Sequence, residues 1–230
     1  MGLLVNERDI VVPGELLAEG IDYIPGDDVF RDKEKLIAIR LGLVNVSGRQ
    51  VKIVPLVGPY VPLRGDVVIG KVVGMGFSGW RIDIGWAFEA NLNIKDATSD
   101  YVEKNSDLTK YFNYGDYLMV QIINVTSTKL IDITTKGPGL KKLTPGRIIK
   151  VGSSKVPRII GKQGSMITMI KDATNTRISV GQNGIVWING EEPKKELLAI
   201  EAIRKIERES HTQGLTEVIK QFLEENKNGI

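Results

Sequence analysis

Residues 158–178 read RIIGKQGSMITMIKDATNTRI, and their spacing admits few folds. Gly161-Lys162-Gln163-Gly164 stands between an apolar pair, Ile159 and Ile160, and a run in which Ile167, Ile170, Thr174 and Ile178 recur. The intervals of three and four predict a helix over Ser165–Asn175 with one face turned inward. Two glycines let the backbone approach a group that a Cβ would hold off. The second glycine immediately precedes the helix, whose first N–H groups lack intrahelical partners and carry positive partial charge. An anion placed there is stabilised without a dedicated side chain, and Lys162 adds a formal charge to the same target.

The flanks predict the rest of a small domain. Gly146–Val151 reads as a strand and Ser154–Ile160 as a short helix. Strands follow at Arg177–Val180 and Ile185–Ile188, joined by a turn at Gln182-Asn183-Gly184. Pro193 opens a helix running to Glu209, with Leu198, Ala199, Ala202, Ile203 and Ile206 as its inward stripe. Trp187 is expected to pack beneath that helix. A further short helix is expected over Leu215–Glu225, with His211 solvated in the connection.

This segment resembles the KH domain, whose core pattern I-I-G-x-x-G-x-x-I-x-x-I-x-x-x-T-x-x-x-I is met at every fixed position from Ile159 to Ile178. The resemblance implies a β-α-α-β-β-α fold that clamps about four nucleotides of single strand against the glycine loop. It implies RNA contacts from Arg158, Ile159, Gly161, Lys162, Gln163, Gly164 and Ser165, with Ile159 and Ile178 flooring the bases.

The charge distribution points the same way. Residues 138–230 carry 16 basic and 10 acidic side chains, while residues 1–64 carry 8 and 9, and residues 65–137 carry 7 and 9. Between Lys141 and Arg177 lie nine basic residues and one acid, Asp172. Such a concentration attracts a polyanion, of which nucleic acid is the commonest in a cell; a solvated basic face is the plainer reading.

Residues 65–137 read as five short strands with a polar connection of about twenty residues after the third, the pattern of an OB-type barrel. Residues 80–86 alternate, with Trp80, Ile82, Ile84 and Trp86 on one face and Arg81, Asp83 and Gly85 on the other. Nine of the chain's fourteen aromatic residues fall between Phe77 and Tyr117, which suits either a stacking surface or a barrel core. The glycine-spaced strand Gly65–Val72 and the loop Phe77-Ser78-Gly79-Trp80 resemble the OB fold of the ribosomal S-one type. That resemblance implies base stacking by Phe77 and Trp80 and a basic contact at Lys129, while Asn93 stands where the family often has histidine. Trp80 is equally suited to a core shared with Ile82 and Ile84.

Residues 1–64 read as short strands between Pro/Gly turns, with Leu36–Leu43 and Gln50–Val57 as candidates, and the segment is expected to pack on a partner or on the next domain. Asp27–Asp28 follows Pro-Gly and reads as a turn, not a metal site. The expected organisation is mainly β plus α/β: an all-β domain at 1–64, an OB-fold barrel at 65–137 and a KH domain at 138–230. That order resembles the RNA-binding cap subunits of archaeal exosomes. The resemblance implies a non-catalytic protein that binds single-stranded RNA and docks, three copies at a time, on a hexameric ring of RNase-PH-like subunits where phosphorolysis takes place. A free-standing RNA-binding factor in transcription or translation is the alternative.

Exclusions complete the reading. The chain has no cysteine and a single histidine, His211, which removes thiol chemistry, disulfides and His-cluster zinc sites. No apolar run approaches the ~20 residues that span a bilayer, and charges at Glu7, Arg8 and Asp9 interrupt any leader-like start. No catalytic residue, cofactor or metal is expected, and the expected location is cytoplasmic.

Overall fold

The computed structural model describes residues 2–98, 107–212 and 214–227. It divides into two compact units, one ending at Gly58 and the other beginning at Pro59. The barrel and the KH fold, expected as separate domains, lie together in the second unit.

The first unit holds two small sheets. Strands β1 (Ile10–Val11), β6 (Gly42–Ser47), β7 (Gln50–Pro55) and β3 (Ile24–Pro25) form one in that order. Strands β2 (Leu16–Glu19), β5 (Lys35–Ala38) and β4 (Val29–Asp32) form the other. Val11, Leu17, Ala18, Leu36, Ala38, Val44, Val51 and Ile53 form the core between them. Period-two alternation puts most of these residues inside and a second apolar set outside, while an irregularity in β2 between Leu16 and Ala18 lets the consecutive Leu17 and Ala18 both turn inward. Ile10, Leu43 and Val54 are register neighbours on one outer face, and Leu16, Ile37 and Phe30 on the other. Ile10 is 65% exposed and Phe30 58%.

The strand expected over Leu36–Leu43 is split. The chain leaves one sheet after Ala38 and enters the other at Gly42. At the crossover, Ile39 N donates to Asp28 O at 3.0 Å, and the Arg40 guanidinium pairs with the Asp28 carboxylate at 3.6 Å. Asp28 takes φ +59° there, so the acidic pair belongs to a turn that holds the crossover.

In the second unit, β8 (Val67–Gly76), β9 (Gly79–Asp83), β10 (Ala90–Asn93), β11 (Tyr117–Val125) and β12 (Ile131–Thr134) close a barrel, with β11 pairing both β8 and β12. Val68, Val72, Trp80, Ile82, Ile84, Leu92, Leu118, Val120, Ile122, Ile131 and Ile133 fill it. After β10 comes a single turn of helix, α1 (Ile94–Ala97), and Leu108–Lys110 form a 3-10 turn. The remainder of the expected connection, residues 99–106, lies outside the described residues.

A short strand, β13 (Lys141–Lys142), adds to the edge of β11, and the KH fold follows. Its sheet runs β14 (Arg147–Lys150), β16 (Ile185–Asn189), β15 (Arg177–Val180), all antiparallel. Helices α2 (Val156–Ile160), α3 (Ser165–Thr174), α4 (Pro193–Arg208) and α5 (Leu215–Lys227) complete it. Thr174 explains its own place in the pattern. It is buried, donates to Ile170 O at 2.7 Å and shares a 2.8 Å hydrogen bond with Thr176, closing α3 before Asn175 turns left-handed at φ +51°.

Trp187 is not beneath α4. On β16, Val186 and Ile188 face the helices, while Ile185 and Trp187 face the barrel beside Ile69 and Leu143. The Trp187 indole donates to Thr144 O at 2.9 Å. The strand is therefore buried on both faces, which a continuous apolar run such as IVWI permits and an alternating one does not. The β15–β16 turn completes the junction. Asn183 Nδ2 donates to Ile69 O and to Ile84 O, each at 2.8 Å, and its Oδ1 accepts from Ile69 N at 3.3 Å. Gln182 N donates to Val67 O at 2.9 Å, and Val67 N returns a 2.6 Å bond to the Gln182 side chain.

Replacing Asn183 with Ala strips partners from backbone groups of both β8 and Ile84, at a cost of about 2–3 kcal/mol. Calorimetry should show the barrel and the KH fold melting together in the native protein. In the variant the transition should move to lower temperature and separate into two.

Candidate nucleic-acid interface

The glycine loop joins α2 to α3 by conformations that its residue types alone supply. Gly161 has φ +75°, and a Cβ there would meet the Cβ and backbone N of Met166, each at 2.7 Å. Gly164 has φ +80° with open space around it, so the backbone is bare at the start of α3. Between them Gln163 is left-handed at φ +54°, an uncommon conformation for a residue with a side chain. Gly161 N donates to Pro157 O at 2.9 Å and Gly164 N to Gly161 O at 3.2 Å, which fixes the loop. No side chain caps the first turn of α3 and no acid lies in it. Ser165 N bonds back to Lys162 O, and the N–H groups that follow it in the first turn have no side-chain cap, which leaves them to an anion.

Lys162, Gln163 and Ser165 are exposed on this loop, and Arg158 is exposed on α2. Among the described residues neither Arg158 nor Lys162 is in an ion pair. Arg158, Gly161, Lys162 and Ser165 line one cleft. Ile159 does not belong with them. It is fully buried against the helices and sheet, as is Ile178 at 4% exposure, so neither floors a base site. The same inward spacing that made them recognisable makes them core.

The barrel carries a second surface. Phe77, at the tip of the β8–β9 turn, is 99% exposed. A groove beside it is lined by Ser78, Arg81, Asn91, Asn93 and Asp132 among others. Arg81, Asn91 and Asp132 are register neighbours across β9, β10 and β12, a polar row on the outer face. The alternation that placed Trp80 and Ile82 inside already implied that Arg81 points out; Asn91 and Asp132 needed the strand register. Trp86 and Phe88 meet edge to face at 5.4 Å, with Phe88 half exposed.

Trp80 is a correction. It is 2% exposed, its indole donates to Phe112 O at 3.0 Å, and its ring meets Phe112 edge-on at 5.2 Å. No base reaches its face, so of its two readings the core one holds. Lys129 sits exposed at φ +67° in the β11–β12 turn and does not line the groove beside Phe77.

A closed five-stranded barrel packed on a KH fold with an open, basic glycine loop defines a protein of the nucleic-acid-binding class. Comparison with known proteins narrows this. Residues 146–212 match the family model of the KH domain, and residues 8–57 match that of the exosome RNA binding protein RRP4 N-terminal domain. The exosome complex component Rrp4 of Pyrococcus furiosus is 46% identical over 224 residues, covering 96% of this chain and 84% of the relative. That of Thermococcus kodakarensis is 45% identical, covering 96% and 87%. That of Methanothermus fervidus is 42% identical, covering 96% and 97%. A crystal structure of an exosome complex RNA-binding protein superposes with a TM-score of 0.66 at 31% identity, over 74% of this chain and 98% of that one. The chain belongs to the archaeal Rrp4 family of exosome components, in agreement with the resemblance in its sequence.

Phe77 and Trp80 separate stacking from packing. Phe77→Ala should leave the melting temperature nearly unchanged and weaken single-stranded RNA binding by the ~1–3 kcal/mol of one stacked base. Trp80→Ala should cost about 3–5 kcal/mol of stability. Thermal melts and fluorescence anisotropy on both variants check this.

Proposed function

We propose that this chain is the non-catalytic cap of an exosome: it captures single-stranded RNA and guides its 3′ end into a phosphorolytic ring. The observation that carries the RNA half is the glycine loop, with bare backbone at Gly164, a helix start without a side-chain cap, and Lys162 and Arg158 in no ion pair among the described residues. A sugar–phosphate backbone takes its hydrogen bonds from such N–H groups and its charge neutralisation from such cations. The exposed Phe77 supplies a stacking face on the barrel, and Lys129 a further cation.

The ring half rests on the family and on the outer faces of the first unit. Apolar rows such as Ile10–Leu43–Val54 and Leu16–Ile37–Phe30 mark protein contact surfaces when they stay uncovered in the monomer. The partner is a hexamer of RNase-PH-like subunits carrying three caps, and the cap brings no catalytic group, cofactor or metal of its own. The site of action is the cytoplasm.

Replacing Lys162 and Gln163 with Asp puts like charge against phosphate and should weaken RNA binding about tenfold or more, with an unchanged circular dichroism spectrum. Native mass spectrometry with ring subunits should show three copies on six, for this variant as for the native chain. Phe30→Glu should do the reverse, losing ring association while RNA affinity stays. A chain that never joins the ring yet binds RNA would make it a free-standing RNA-binding factor. Unchanged affinity in the Asp variant would leave the loop without its role.

A further inference from the structure

The cleft that holds Arg158, Lys162 and Ser165 has a second wall that the KH pattern does not account for. His211 and Thr212, which follow α4, and Thr216, in the first turn of α5, line the cleft together with the loop residues. Gly161, Met166 and Leu215 also line it, the latter two buried. The cleft encloses about 510 Å³, within the range of small-ligand sites.

Its chemistry is one-sided. Among the described residues every titratable group in the lining is basic: Arg158, Lys162 and His211. The remaining polar side chains are hydroxyls, Ser165, Thr212 and Thr216. The neighbouring acids at the end of α4 are engaged elsewhere. Glu209 pairs with Lys205 at 3.0 Å, and Glu207 accepts from Arg204 at 2.9 Å and from Gly152 N at 2.7 Å. Glu217, in the first turn of α5, is exposed and does not line the cleft. Guanidinium, ammonium, imidazole and hydroxyl donors around an acid-free cavity suit a phosphate group and offer a base little to stack on.

We propose that this cleft is a second phosphate site, which takes the backbone of the RNA strand where it leaves the glycine loop. The proposal rests on the RNA-binding reading of that loop. Ser165 and Lys162 belong to both surfaces, so a strand whose phosphate lies on the loop has its next phosphates beside His211, Thr212 and Thr216. The α4–α5 connection thus lengthens the footprint of the KH fold beyond the nucleotides the loop itself clamps.

The test uses the full chain and two oligonucleotides, a tetramer and an octamer of single-stranded RNA, measured by anisotropy across a salt series. His211→Glu with Thr216→Glu changes two exposed positions and places acid in the cleft. It should weaken octamer binding about tenfold and lower the magnitude of its salt slope by about one, since a phosphate contact is lost. Tetramer binding should stay within about twofold. His211→Arg should retain or strengthen octamer binding, an outcome that structural damage would not produce. Octamer affinity and salt slope unchanged in the double-Glu variant, with Lys162→Asp/Gln163→Asp still disrupting binding, would overturn the cleft and leave the loop intact. If the Asp variant loses nothing on either oligonucleotide, the loop reading falls and the cleft with it.

Discussion

The second unit depends on one strand that is covered twice. β16 carries Val186 and Ile188 toward the helices and Ile185 and Trp187 toward the barrel, so the KH sheet has no wet face at its centre. Burying apolar side chains on both sides gains roughly twice what a half-solvated strand gains, at about 25 cal/mol per Å². It also demands that every polar group at the junction be met. The Trp187 indole reaches Thr144 O, and Asn183 spans Ile69 and Ile84 with one side chain. Through these contacts the barrel and the KH fold become one body.

The glycine loop can then be read as a surface mounted on a rigid support. α2 and α3 are anchored by Ile159, Ile167 and Ile170 in a core shared with α4 and α5. The loop itself contributes nothing to that core. Its left-handed residues at 163 and 164 are held because both ends are fixed and because Gly161 N and Gly164 N are tied to Pro157 O and Gly161 O, while the Lys162 and Gln163 side chains stay exposed.

Much of this was legible in the sequence. The helix over Ser165–Thr174, the strand Arg177–Val180 and the long helix from Pro193 follow from apolar spacing and from their turn and capping residues, and they appear within a residue or two of expectation. Spacing was silent on which apolar residues face solvent and which face another domain. Trp187 looked like a residue for α4 because an isolated KH sheet has only one side to cover. Ile159 and Ile178 are offered as a base floor by the KH resemblance, Ile159 beside the glycine loop and Ile178 at the end of the pattern, though their side chains point into the core. Trp80 carried two readings that alternation alone left equal, and the carbonyl of Phe112, thirty-two residues away, settled it. The groove row Arg81–Asn91–Asp132 depended on strand register, which no local signal supplies.

The rigid junction at Asn183 has a consequence for how length is sensed. Two binding surfaces joined by a flexible linker meet a ligand at an effective concentration set by the linker's wandering. Here the Phe77 turn and the glycine loop sit on one compact unit, so no protein linker wanders, and the ordering entropy lost when the second surface engages is that of the strand. On the RNA-binding reading proposed above, a strand long enough to touch both gains the second contact, and a shorter one gains none of it. A protein that holds one strand at both surfaces, as proposed above, acts as a fixed gauge, whose affinity steps with strand length rather than rising smoothly.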